Sequence, residues 1–365
     1  MSKMANDMNW NELKESIPDV GFVENYEIYR RARPTTTLIV LRTVTDPTLF
    51  RNSDSERAET QEFSGVLHAQ VNGEKFVSKE RLTGLNLCRE LDDKGDIIDP
   101  DYTYNEPLSD LEKSQTADML TYGLAGTVSG ATYSQKSRVI EGYTYSLERY
   151  DLMNKEVHNA LYESGTMRNE TGKQSEALFS PTKVQPGTHF VHFVTLEAGT
   201  KEMFLYLLHN ILNTSRYGAR ETRTGRNIRN EIIGCIQSPS DSSLSCGEMI
   251  LDHISSDTEN LPEENIKAIV SSYLMEHKRA DWDVFVKEET KKEGTEKKED
   301  EQKDKKDKIT FNDFPEWLTK AINVCERKEK ASSDVLSEAL VILRDEGLRT
   351  VEKEKKSEEK KTSRV

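Results

Sequence analysis

Apolar residues recur along this chain with two periods, and the switch between them places its elements. Thr35 to Val44 (TTTLIVLRTV) is a β-branched and apolar run that ends at Asp46-Pro47, which predicts a buried strand closed by a turn. Gly65 to Val77 (GVLHAQVNGEKFV) alternates on both sides of Asn72-Gly73, a dipeptide suited to two-residue turns, so a hairpin is expected there. His189 to Glu197 (HFVHFVTLE) reads as a second strand. At Phe204, Leu207, Leu208 and Ile211 the spacing becomes i, i+3, i+4, i+7, the stripe of an amphipathic helix with Thr200 as its N-cap. Glu231 to Gln237 (EIIGCIQ) resumes as a strand, which completes a βαβ unit. Further helices are expected at Pro315–Glu329 and Ser333–Glu346, the second capped by Ser332 or Ser333 and stopped by Gly347.

The polar stretches between these elements divide the chain. Asp92 to Glu112 is acidic and turn-rich, an expected surface excursion. Ser164 to Gly187 carries Gly165, Gly172, Pro181, Pro186 and Gly187 and is expected to project as a long loop or hairpin. From Lys287 to Lys308, 18 of 22 residues are charged, nine of each sign, and Val351 to Val365 is similar. Such segments have nothing to bury. The 365 residues therefore divide into a main domain (1–286), with a lobe at 91–121 and a projection at 158–188, a charged linker expected to be disordered (287–309), a helical extension (310–350) and a tail expected to be disordered (351–365).

The chain has 51 basic and 65 acidic residues, a net charge of −14, and the part after Val286 balances at 21 against 21. All the excess acid thus lies in the main domain, which excludes a uniformly basic nucleic-acid coat but leaves room for a local basic stripe. No run of 18 or more apolar residues exists and the first residues are polar, so a cytoplasmic protein with no membrane association is expected. Cys88, Cys235, Cys246 and Cys325 are scattered without a C-x-x-C pair, which suits reduced thiols and argues against a cysteine zinc site.

The informative exception to the acidic background is Ser215 to Asn230 (SRYGARETRTGRNIRN). It holds Arg216, Arg220, Arg223, Arg226 and Arg229 against Glu221 alone. Guanidinium is always charged and its donor fork matches phosphate oxygens in pairs, so binding to a phosphate backbone is expected. Gly218 and Gly225 would let backbone approach a ligand, and Thr222 and Thr224 would add hydroxyl donors. Tyr217 fits either stacking on a base or anchoring the turn. Smaller signals carry less. Tyr122 to Gly142 holds Gly123, Gly126, Gly130 and Gly142 with Lys136 and Arg138, but its spacing matches no phosphate-loop or dinucleotide fingerprint. Arg30, Arg31 and Arg33 form a second basic cluster before the first strand. His189 and His192 are three apart on a strand and so point to opposite faces, which disfavours a shared metal. Asp46 reads as a turn residue.

Four segments resemble a known family: FLYLLHNILNTSRYGARETRTGRNIRN (Phe204 to Asn230), SGTM (Ser164 to Met167), VQPGTHFVHFVTLE (Val184 to Glu197) and YGLAGTVSG (Tyr122 to Gly130). They are similar to the type I-D CRISPR backbone subunit, the Csc-two (Csc2) family of the Cas-seven superfamily, over roughly Thr35 to Ile254. The resemblance implies an α+β fold with an RRM-like (ferredoxin-like) core, inserted lobes, a projecting thumb at 158–188 and here a C-terminal helical extension. It implies a subunit that polymerises along CRISPR RNA in an effector (Cascade) complex for antiviral defence, with further copies of itself and Cas-five-type and large subunits as partners, and target DNA reached through guide pairing. Carried over by position, Arg216, Tyr217, Gly218, Arg223, Thr224, Gly225 and Arg226 would line the guide channel, with Lys136 and Arg138 as secondary contacts; Arg220 of the same arginine cluster, and Arg31 and Arg33 of the second basic cluster, are further candidate RNA contacts. Members can carry a cysteine cluster before the YG-x-A-G segment; Asn105 to Thr121 has none, so neither zinc nor another cofactor is expected. Two other readings stand beside this one. One is a backbone subunit that also cuts the paired target in a metal-dependent way, with Asp46 and Asp54 as the carboxylates; the other is a stand-alone RNA-binding module.

Overall fold

β1 (Thr35–Val44) is buried along all ten residues. Both of its edges are paired and both of its faces are covered, which is why it reads as a continuous apolar run rather than an alternating one. β12 (His189–Glu197) lies antiparallel on one side, from Thr35↔Glu197 to Thr43↔His189. β13 (Ile228–Ser238) lies antiparallel on the other, with a bulge at Ile39/Val40. α4 (Lys201–Asn213) crosses over between them. β7 (Thr144–Arg149) pairs with β12 through Phe190↔Ser146. The order β13-β1-β12-β7, with α2 (Glu74–Leu91) in the first crossover and α4 in the second, is the split βαβ arrangement of a ferredoxin-like core. The structure, a computed structural model, describes residues 9–26, 33–51, 59–100, 102, 116–128, 131–150, 154–155, 158–159, 178–179, 182–223, 225–254, 261–287, 313–329 and 331–362.

Other strands widen this α+β fold. β2 (Glu59–Phe63) and β3 (Val66–Val71) continue the sheet beyond β7, β14 (Asp283–Val286) closes it beyond β13, and β6 (Val139–Glu141) also pairs with β12. β4 (Leu124–Val128) and β5 (Ala131–Gln135) form a separate hairpin. The two-residue strands β8 (Asn154–Lys155), β9 (His158–Asn159), β10 (Leu178–Phe179) and β11 (Thr182–Lys183) pair as β8 with β11 and β9 with β10.

Side chains of β1 alternate between two cores, as the period of a strand requires. Leu38 and Val40 join a cluster with Phe204, Leu208 and Leu340, while Ile39 and Leu41 join one with Met249, Ile266 and Tyr273. The second face is covered by α5 (Cys246–His253) and α6 (Glu263–His277). On the first face, α4 is buried from Glu202 to Ile211. It is enclosed because α2, α3 (Ala117–Tyr122), α7 (Glu316–Cys325) and α8 (Ser332–Thr362) pack around it. Leu205, Tyr206 and Leu207 are therefore buried beside the Phe204, Leu208 and Ile211 stripe, so α4 is enclosed rather than one-sided, and its buried Glu202 pairs with Lys14. The C-terminal helices thus dock on the main domain, where α1 (Trp10–Ser16) also meets α8 through Trp10 N–H donating to Glu338 at 2.9 Å.

Three expectations need correction. The hairpin turn is at Ser64-Gly65, with φ of 51° and 83°, and Asn72-Gly73 instead starts α2. Asn72 Oδ1 accepts from Glu74 N–H at 3.2 Å, and Gly73 approaches β6 so closely that a Cβ would stand 2.5 Å from the Glu141 carbonyl oxygen. The acidic excursion after Asp92 is partly packed, since Ile97, Ile98 and Tyr102 are buried in the α4-side core. Gly347 does not stop the last helix, which runs on to Thr362 through Glu- and Lys-rich sequence of good helix propensity. Residues 160–177 and 180–181 of the expected thumb, 288–309 of the linker and 310–312 of the extension lie outside the described residues. Among the described residues no helix is long and apolar enough to cross a membrane. All four cysteines are free and buried, and burial pushes the Cys88 and Cys235 thiols up to about 12.

Candidate nucleic-acid interface

The segment between α4 and β13 is held from within. Thr200 caps the start of α4 by accepting from Met203 N–H at 3.4 Å, and Thr214 ends it. From Ser215 to Asn227 the chain loops out, and the Asn227 side chain ties the loop together: Nδ2 donates to the carbonyls of Tyr217 (2.9 Å) and Thr222 (3.1 Å), while Oδ1 accepts from Tyr217 N–H at 2.9 Å. Tyr217 is fully buried, so it anchors the turn and cannot stack on a base, which corrects its assignment to the channel. Gly218 and Thr222 hold the shape of the loop. Gly218 has φ 76°, and a Cβ there would lie 2.6 Å from the Leu49 carbonyl oxygen; buried Thr222 Oγ1 bonds within the loop to the Ala219 carbonyl at 3.0 Å.

Tyr217 reaches a buried polar network beneath the loop. Arg42 on β1, with no exposed surface, donates from Nη1 to Glu80 on α2 at 2.7 Å and to Asn230 Oδ1 at 3.2 Å, and from Nε to His192 Nδ1 at 3.3 Å. Tyr217 donates to Glu80 at 2.9 Å and accepts from Asn230 Nδ2 at 2.8 Å. Burial works against the Arg42 charge, but Glu80, Tyr217 and Glu141 outweigh it and raise its pKa. Burial, then Arg42, drives His192 well below the usual imidazole range, so the ring is neutral, accepts at Nδ1 and donates from Nε2 to the Gly142 carbonyl at 3.2 Å. One guanidinium faces two carboxylates. Burial, then the charge of Glu80, pushes Glu141 well above the carboxylate range, which favours its neutral form. An acid whose folded pKa is raised contributes stability that is full below its unfolded pKa and is lost as pH climbs through the folded value. Glu141→Gln, which fixes the neutral form, is therefore expected to match the wild type near pH 4 and to melt at higher temperature than it near pH 8. A pH series of melting curves checks this, and a gap that shrinks as pH rises would contradict it.

Above this base lies a cavity of about 690 Å³ between α2, the end of α4 and the loop. Five cationic side chains line it, Lys79, Arg216, Arg220, Arg223 and Arg327, against the single carboxylate of Glu90. Burial, then the charge of Arg223, lowers the Lys79 pKa, and Arg223 Nε is shielded from solvent without a hydrogen-bond partner among the described residues. Cations that face one another without an anion define a site for one. Asn227 holds the backbone that carries Arg216, Arg220 and Arg223, so less backbone freedom is lost on binding.

The remaining candidates divide. Arg226 is exposed and does not line the cavity, and Arg229 pairs with Glu263 of α6. Gly225 lies beside exposed Asp46, whose Oδ2 would stand 3.7 Å from a Cβ at that position. Arg138 is a correction: it is buried, donates to the carbonyls of Ala198 (2.9 Å) and Tyr26 (3.2 Å), and stacks 4.2 Å over the Tyr26 ring, so it holds the fold rather than a ligand. Arg33 and Lys136 are exposed and share Glu197, at 3.7 and 3.5 Å. Glu197 pairs with Thr35 at the start of β1, whereas the loop meets its end, about 30 Å away along a strand of this length, so the structure does not bring these two residues to the cavity. His189 and His192 part as expected, His189 bonding to Glu148 at 2.7 Å. Thr224, Arg31 and Asp54 lie outside the described residues, and among those described no three His, Cys, Asp or Glu side chains gather as a metal site. Sequence reasoning missed Lys79, Arg327 and Asn227. Lys79 on α2 and Arg327 in the turn after α7 are single charges among charged neighbours, and only the fold puts them opposite the arginines.

The family model described as Csc2 CRISPR matches residues 22–312. A crystal structure of Thermofilum pendens Csc2 is similar in fold, at 14% identity and a TM-score of 0.55, with 94% of this chain and 95% of that chain covered. A chain of a CRISPR RNA-guided surveillance complex in a pre-nicking state aligns at 11% identity and a TM-score of 0.48, covering 70% of this chain and 92% of that one. No curated protein matches.

Proposed function

The chain belongs to the Csc2 CRISPR family, and from that premise we propose that it is a guide-RNA-binding backbone subunit of a type I-D effector complex, with Arg216, Arg220 and Arg223 gripping the RNA backbone. The observation that carries this reading is the cationic cavity under a loop pinned by Asn227 and Tyr217, set in a chain whose main domain is otherwise acidic. Phosphate contacts of this kind position a strand without reading it, which leaves sequence to base pairing with the target. Acidic surface elsewhere repels nucleic acid from the wrong faces. Several copies would bind side by side along one guide.

Size-exclusion chromatography of the chain expressed with and without guide RNA tests this. The expected result is a large RNA-containing species whose size grows with guide length and which falls to monomer after ribonuclease. A monomer in both preparations would reject the backbone role.

A further inference from the structure

The described part of the C-terminal extension, from residue 313 on, lies beyond the family match that ends at 312, yet its Arg327 lines the cationic cavity. α7 and α8 both pack on α4, and between them the chain passes Arg327 in a left-handed conformation, φ 54°. The Arg327 guanidinium donates to Glu90 of α2 at 2.7 Å and to Ser333 Oγ at 3.2 Å. Asn213, at the end of α4, donates to the Cys325 carbonyl at 2.8 Å and so fixes the end of α7 beside the cavity. The space between these parts measures about 690 Å³ and is open to solvent on one side, a volume comparable to the roughly 300–1,000 Å³ of small-ligand sites. Leu82, Leu87 and the Asn86 amide line it beside the cations, an apolar surface and a donor–acceptor pair suited to the face and edge of a base.

We propose that this cavity receives one nucleotide unit of a single-stranded RNA, its phosphate held between Lys79 and Arg223 and its far wall formed by Arg327 of the C-terminal extension. The proposal rests on the guide-RNA reading and deepens it: the extension is part of the RNA site. The depressed Lys79 and the shielded, unpartnered Arg223 Nε supply the demand for an anion, and Glu90, already engaged by Arg327, does not meet it.

The test uses the full chain and its Arg327→Gln and Lys79→Gln variants, with binding followed by fluorescence anisotropy for a short single-stranded RNA and by calorimetry for a nucleoside 5′-monophosphate. Each variant is expected to weaken RNA binding about tenfold and to reduce the salt slope by about 0.7, with the melting temperature unchanged. The monophosphate should bind the wild type, bind each variant more weakly, and compete with RNA. If the wild type binds RNA and both variants bind it equally well, the pocket is wrong and the guide reading stands. If the wild type binds the monophosphate but no RNA, the site serves free nucleotides, and the RNA assignment and the guide reading fall together. If it binds neither, both are rejected.

Discussion

Arg42→Ala is expected to cost about 3–5 kcal/mol and to lower the denaturation midpoint sharply, because it leaves a buried carboxylate with no counter-charge. Arg42 is wholly buried on the central strand and its Nη1 is shared among Glu80, Asn230 and Tyr217. Its guanidinium carbon also sits 4.2 Å over the Phe76 ring, so packing is lost with the charge. Removing both charges should be milder: Arg42→Met with Glu80→Gln leaves no uncompensated ion and is expected to recover part of the loss. Urea titrations of the single and double variants measure this. A single variant within about 1 kcal/mol of the wild type would show that the network contributes little to folding.

Arg220→Ala combined with Arg223→Ala is expected to weaken single-stranded RNA binding about 100-fold near physiological salt, since two charge-assisted contacts are worth about tenfold each. The dependence of log affinity on log salt should become shallower by about 1.4, two contacts at roughly 0.7 each. Stability should hardly move. Arg220 is exposed, and neither residue appears in the buried network that fixes the loop. Unchanged affinity with an unchanged slope would mean that these arginines face solvent only.

Elements whose buried face is apolar were legible in the sequence. Thr35–Val44 and His189–Glu197 coincide with β1 and β12 in full, and the helix capped by Thr200 is α4. α2 was not legible. Its buried positions are Phe76, Glu80, Gly84, Leu85, Leu87 and Cys88, so a charge and a glycine interrupt the apolar stripe, and Asn72-Gly73 before it imitates a hairpin turn. Glu80 is tolerated there only because Arg42, itself a charge inside an apolar strand, meets it across the core. The arginine loop was visible as a charge cluster, but its division was not: Arg216, Arg220 and Arg223 turn to the cavity while Arg229 pairs with α6. Arg138 was carried over by position and Tyr217 fitted either a base or the turn, and the fold spends both on its own backbone and core. Burial of a polar side chain is set by long-range pairing, which local composition does not record.

The central claim is that the loop between α4 and β13 holds RNA. Photo-cross-linking of a thiouridine-substituted guide RNA to the full chain, followed by identification of the linked peptides, tests it most directly. Links are expected in the peptides that carry Arg216 to Arg223 and Lys79. Links confined to α5, α6 and the outer strands, with the loop peptide unmodified, would contradict it.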